Sequence, residues 1–123
     1  MVQSLNSKVD LVTNATFYRG FPQYGQIMIG NAGFEFYEAS NPKKCVQLKW
    51  ESIEKVVAST MFKNKWIPRF AIVTKNNFIY YFSAKQPKLV LKAINVYIPS
   101  NKMFHSLTIT NRLKTIFKLK SKK

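Results

Sequence analysis

The run Phe78-Ile79-Tyr80-Tyr81-Phe82-Ser83, followed shortly by Pro87-Lys88-Leu89-Val90-Leu91-Lys92-Ala93-Ile94-Asn95-Val96-Tyr97-Ile98, changes its hydrophobic period from two to about 3.6. In the first part Phe78, Tyr80 and Phe82 share one face and Ile79 and Tyr81 the other, which predicts a strand. In the second part Leu89, Val90, Ala93, Ile94 and Tyr97 make a broad apolar stripe opposite Lys88, Lys92 and Asn95, which predicts an amphipathic helix. Ser83 offers a cap, Pro87 suits a first helical turn and Pro99 marks the end. Such a stripe must be buried against another element, and the segments upstream supply a sheet for it.

Working outward, Trp66 to Thr74 and Phe78 to Ser83 flank Lys75-Asn76-Asn77 as a hairpin. Near the N-terminus Val9, Leu11, Thr13, Ala15 and Phe17 alternate as a half-buried strand. Phe21 to Gly25 reads as a turn and Gln26 to Ile29 as a short strand. Asn31-Ala32-Gly33 reverses the chain, since Asn and Gly tolerate positive φ, into Gly33 to Tyr37 with Phe34 and Phe36 on one face. Glu38 to Lys44 is a loop, and Val46, Leu48 and Trp50 alternate after it, with Trp50 assigned to the core. A further strand lies within Ile53 to Phe62, with its register blurred by adjacent Val56 and Val57, and Lys63-Asn64-Lys65 is the turn out of it.

About seven short strands before one helix predict a mainly β fold. The expected form is a small bent antiparallel sheet or partial barrel closed by a C-terminal amphipathic helix, pleckstrin-homology or GRAM-like in order. The alternative is an open antiparallel sheet covered by one helix. A chain of 123 residues supports one core. The expected organisation is a single β-rich domain over residues 1–98, including its helix, and a basic extension over 99–123, ordered on the domain or on binding. In that extension Leu107 to Thr110 alternates like a strand, while Ile109, Leu113, Ile116 and Phe117 also lie near one helical face.

Twenty Lys and Arg face five Asp and Glu, a formal charge of +15, so the surface attracts polyanions. Nucleic acid, anionic lipid headgroups and an acidic protein face all fit. Arginine occurs only at Arg19, Arg69 and Arg112, and a lysine-rich surface suits a diffuse anionic layer better than bidentate reading of bases. The lone Cys45 and the absence of an export signal imply a cytoplasmic protein. Without an apolar stretch of membrane-spanning length, any membrane association is expected to be peripheral or mediated by a protein, at the inner face of the plasma membrane.

The catalytic inventory is thin. His105 is the single histidine, and the acids are Asp10, Glu35, Glu38, Glu51 and Glu54. Glu51 and Glu54 read as a solvated turn, and Cys45 with His105 lacks any recognisable catalytic context. Neither a zinc ligand set nor a phosphate-binding loop is present, so no enzyme activity, metal or cofactor is expected.

The informative clusters are basic. Lys43 and Lys44 adjoin a strand, Lys49 and Lys55 continue the charge, and Lys63, Lys65 and Arg69 surround Trp66. Trp66 either grips an interface or pins a strand to the core. In the tail, Arg112, Lys114 and Lys118 alternate with apolar residues such as Phe117, as either an amphipathic contact with anionic phosphates or a solubilising end. Lys43, Lys44, Lys63, Lys65, Trp66, Arg69, Arg112, Lys114, Phe117 and Lys118 form the expected partner-binding set.

Three blocks also carry a family resemblance: Ser4-Leu5-Asn6-Ser7-Lys8-Val9-Asp10-Leu11, then Gln26-Ile27-Met28-Ile29-Gly30 with Phe34-Glu35-Phe36-Tyr37, and Met61-Phe62-Lys63-Asn64-Lys65-Trp66-Ile67-Pro68-Arg69-Phe70-Ala71-Ile72. From Ser4 to about Leu107 the chain resembles the ManO family of Gram-positive bacteria. The resemblance implies an accessory or regulatory role beside a mannose-type sugar phosphotransferase permease, with the membrane components of that system as partners. It transfers no catalytic residues. A DNA-binding regulator of the corresponding operon is the alternative, although no helix-turn-helix is evident.

Overall fold

The computed structural model describes residues 4–41, 43–59 and 67–106. Among the described residues, eight strands form one mixed sheet: β1 (Val9–Arg19), β2 (Phe21–Gly30), β3 (Gly33–Glu38), β4 (Cys45–Lys49), β5 (Ile53–Ser59), β6 (Phe70–Thr74), β7 (Ile79–Ala84) and β8 (Met103–Ser106). The helix α1 (Pro87–Asn95) follows β7. The strand order is β4-β3-β2-β1-β7-β6-β5-β8, antiparallel throughout except that β8 runs parallel to β5. A mixed sheet with one C-terminal helix therefore agrees with the expected class at that level. Closure into a barrel is not found: among the described residues β4 and β8 are the two edges of the sheet and do not pair with each other.

The first hairpin is longer than its residues implied. Phe21 to Gly25 is not a turn but the start of β2, paired from Arg19↔Phe21 through Ala15↔Gly25. Gly20 alone reverses the chain, at φ +78, a conformation that costs a residue with a Cβ roughly 1–2 kcal/mol. The next reversal at Asn31 and Ala32 uses no positive φ. Instead the Asn6 side chain accepts from the Ala32 and Gly33 amides at 2.7 and 2.9 Å, while Asn31 Oδ1 accepts from the Ser7 and Lys8 amides. The hairpin turn between β6 and β7 follows the expectation, with Asn77 at φ 71.

The main core lies inside the bend of the sheet. Phe82 packs against Phe17 and Phe34, each at 5.0 Å between ring centroids, and against Phe36 and Phe70, each at 5.7 Å. The helix adds Val90 and Ile94, and the chain beyond it adds Ile98. The buried stripe is narrower than expected because Leu89 is half exposed, and Ser83 is no cap: it lies in β7 and bonds Tyr18. Trp50 is in the core as expected, stacked on Tyr97 at 4.9 Å and donating from Nε1 to Gly30 O at 2.9 Å. Tyr97 in turn donates to Asp10.

Val56 and Val57 blur the pattern for a physical reason. Both are buried, Val56 in the main core and Val57 on the opposite face with Ala71, packed by Ile79, Tyr81 and Phe104. A strand covered on both faces loses its alternation. Its free edge is taken by β8, where Val56↔Met103 through Ser59↔Ser106 pair in a segment expected to be extension.

Candidate anion-docking site at the open end of the sheet

Register brings three connections to one end of the molecule. Tyr18↔Tyr81 places the end of β1 beside the start of β7, and Gly25↔Glu38 places the β3–β4 loop beside the first half of β2. At that end Arg19, Phe21, Gln23, Lys43, Lys44 and Cys45 surround a cavity of about 410 Å³ floored by Phe17, Phe36 and Val46. A second cavity, of about 500 Å³, shares Phe17, Arg19, Cys45 and Val46 with it and extends to Phe78 and Tyr80. None of the five acidic residues lines either one.

The loop that carries the two lysines is shaped by its own hydrogen bonds. Asn41 accepts from the Lys43 amide through its side chain at 3.2 Å and from the Lys44 amide through its carbonyl at 2.8 Å. The Ala39 amide donates to Tyr24 O, tying the loop to β2. Ser40 donates to Glu38, so this nearest carboxylate is engaged within the loop. Arg19 comes from the other side because Gly20 ends β1 so abruptly. Phe21 and Phe78 stand at the rims, 69% and 61% exposed.

Of the expected contact residues, Lys43 and Lys44 are brought together with Arg19 around the cavity. Arg69 does not line it. Its guanidinium lies 4.1 Å over the Tyr18 ring, whose hydroxyl is 3.0 Å from Ser83 Oγ, and Tyr18 borders the second cavity. Lys63, Lys65, Trp66, Arg112, Lys114, Phe117 and Lys118 lie outside the described residues. Sequence reasoning missed Arg19 and Phe21, because the stretch after Arg19 read as a turn rather than a strand start. It also placed Phe78 in the strand, on one face with Tyr80 and Phe82, whereas β7 begins only at Ile79. The one available signal was Arg19-Gly20-Phe21, a cation and an aromatic flanking a glycine.

The buried acid of the molecule belongs elsewhere. Glu35, on β3, is fully buried. It accepts hydrogen bonds from Ser4 Oγ, the Leu5 amide at 2.9 Å, Asn6 Nδ2 at 2.8 Å, Tyr37 OH and Gln47 Nε2 at 2.9 Å. Burial pushes its pKa up, but the bonds from Ser4, Tyr37, the Leu5 amide and Gln47 outweigh it and hold the carboxyl below the ordinary range. Burial and the same carboxylate raise the pKa of Tyr37. With its donors converging on it and no share in the open-end cavities, Glu35 fastens the N-terminal arm to β3. Cys45 and His105, weighed above as a nucleophile and base, line different cavities, His105 facing the groove between α1 and β8.

Among the described residues no helix is long and apolar enough to cross a membrane. No curated protein matches the chain. It is similar in structure to a solved chain described as the C-terminal domain of an unknown protein from Leishmania infantum, with 13% identity, 73% of this chain and 83% of that chain covered, and a TM-score of 0.65. At that identity the likeness concerns the fold alone. These findings overturn the terms taken from the resemblance and the barrel term: nothing in them supports mannose, sugar transport, a phosphotransferase system or DNA, and no closed barrel is found among the described residues. The family model that does match spans residues 1–117, and the chain belongs to the family described as Domain of unknown function (DUF956).

Proposed function

We propose that the chain is a non-enzymatic docking module that takes a phosphate-bearing anionic partner at the open end of its sheet. The observation that carries this reading is the meeting of Arg19, Lys43 and Lys44, from two separate connections, around one concavity that no acidic residue lines. Coulomb attraction between like-signed side chains and an anion is strongest where neighbouring cations share a recess and no carboxylate competes. Arg19 supplies a planar fork and the lysines supply mobile point charges, a combination suited to phosphate oxygens. The pleckstrin-homology-like order of strands and closing helix belongs to the same proposal as an analogy of architecture, and it does not by itself assign the function.

The test is a titration of the full chain with inorganic pyrophosphate, followed by backbone amide NMR shifts. The reading expects saturable shifts concentrated at residues 19–23 and 43–46, removed by Arg19→Glu with Lys44→Glu. Equal, non-saturating shifts at Lys88, Lys92 and Lys102, on and after α1, would instead show attraction to net charge alone.

A further inference from the structure

We propose that this docking site is built to lie on a lipid surface, with Phe21 and Phe78 entering the boundary between headgroups and acyl chains while Arg19, Lys43 and Lys44 meet the phosphates. The inference rests on the anion-docking reading and names its partner. Its own support is the placement of large apolar side chains at the rims of the two contiguous cavities.

A single exposed phenylalanine is ordinary, but two at one end of a sheet, at the rims of contiguous cavities lined by cations, make an apolar surface with a polar rim, the pattern of an interaction site. Phe21 is the first residue of β2, next to the Gly20 reversal, and Phe78 lies in the turn between β6 and β7, so both stand at the same end of the sheet. Each has a cation as a close neighbour in sequence, Arg19 and Lys75 respectively, and Lys75 is also exposed. Apolar tips flanked by cations, with an acid-free recess between them, match the layering of an anionic membrane, where phosphates overlie hydrocarbon. An acidic protein face would meet the cations but would leave Phe21 and Phe78 to find pockets of their own.

Phe21 and Phe78 are 69% and 61% exposed and stand outside the buried core cluster, so their replacement is expected to leave folding intact, which unchanged thermal unfolding would verify. The experiment is sedimentation of the full chain with vesicles of phosphatidylcholine and with vesicles of phosphatidylcholine containing phosphatidylglycerol, at physiological salt. The expected result is partition onto the anionic vesicles only. Phe21→Ser with Phe78→Ser lowers it about thirtyfold, a loss of about 2 kcal/mol at 1.4 kcal/mol per decade. Arg19→Glu with Lys44→Glu abolishes the site's share. The basic residues of 107–123 are common to all variants, so differences report on the open end. If the double serine variant partitions as the parent does while the charge reversal weakens binding, insertion is overturned and the docking site stands. If vesicles are ignored but the pyrophosphate shifts persist, the lipid partner is overturned in favour of a soluble or protein-borne phosphate. If neither pair of substitutions changes anything, both readings fall together.

Discussion

Replacing Glu35 by glutamine tests whether a buried carboxylate holds the N-terminal arm on the sheet. The substitution conserves shape and exchanges one acceptor oxygen for an NH2 group. At the position of Oε2 that group would face the Leu5 amide and Gln47 Nε2, and the backbone amide cannot reverse its role. The amide nitrogen therefore turns to the position of Oε1, facing Ser4 Oγ and Asn6 Nδ2. The serine hydroxyl can rotate to accept. Asn6 cannot flip, because its Oδ1 is held by the Ala32 and Gly33 amides. One buried donor then meets another, at a cost of about 1–3 kcal/mol, and the remaining bonds lose their charge assistance. The expected loss is about 3 kcal/mol, a large part of the 5–15 kcal/mol typical of a domain. Urea unfolding at pH 7 measures it as a lower midpoint with an unchanged slope. Hydrogen exchange at the Leu5 amide should quicken as well. A loss below about 0.5 kcal/mol, within the range of ordinary surface substitutions, would refute the carboxylate as the fastener.

Because hydrogen bonding sets the folded pKa of Glu35 below its ordinary 4.5, the stability it contributes is complete above that value and is lost as pH falls through the folded one. Unfolding midpoints across the acid range should show that decline in the parent and a shallower one in Glu35→Gln. Two glycines should separate backbone strain from crowding. Gly20→Ala has nothing within 4 Å of the added carbon and pays only for its positive φ, about 1–2 kcal/mol. Gly33→Ala would place Cβ 2.2 Å from Leu48 O, so the β3–β4 pair must part and far less folded protein should be recovered.

The elements legible in the residues are those whose partners are close in sequence or whose two faces differ in solvent exposure. The β6–β7 hairpin, the Phe34 and Phe36 face of β3, the core position of Trp50 and the existence of α1 all follow from local period and turn chemistry. β2 was shortened because Pro22 and Gly25 are ordinary turn residues, and only pairing with β1 carries the chain through them. β8 escaped because Met103-Phe104-His105-Ser106 has little alternation of its own and becomes a strand by borrowing the free edge of β5.

For the candidate site, local sequence identified Lys43 and Lys44 as a basic pair but not what they face. Composition alone determined that the surface attracts anions, since 20 cations against 5 acids leave a positive field in any fold. Period alone determined strands followed by a helix, because side-chain direction repeats every two or 3.6 residues whatever the neighbours are. Only the tertiary structure decided that Arg19 joins Lys43 and Lys44, that Phe21 and Phe78 stand at the rims, that Glu35 fastens the arm, and that among the described residues β4 and β8 end as separate edges. Those outcomes depend on register and on which edges remain unpaired, and contacts between residues tens of positions apart have no signature in either stretch by itself.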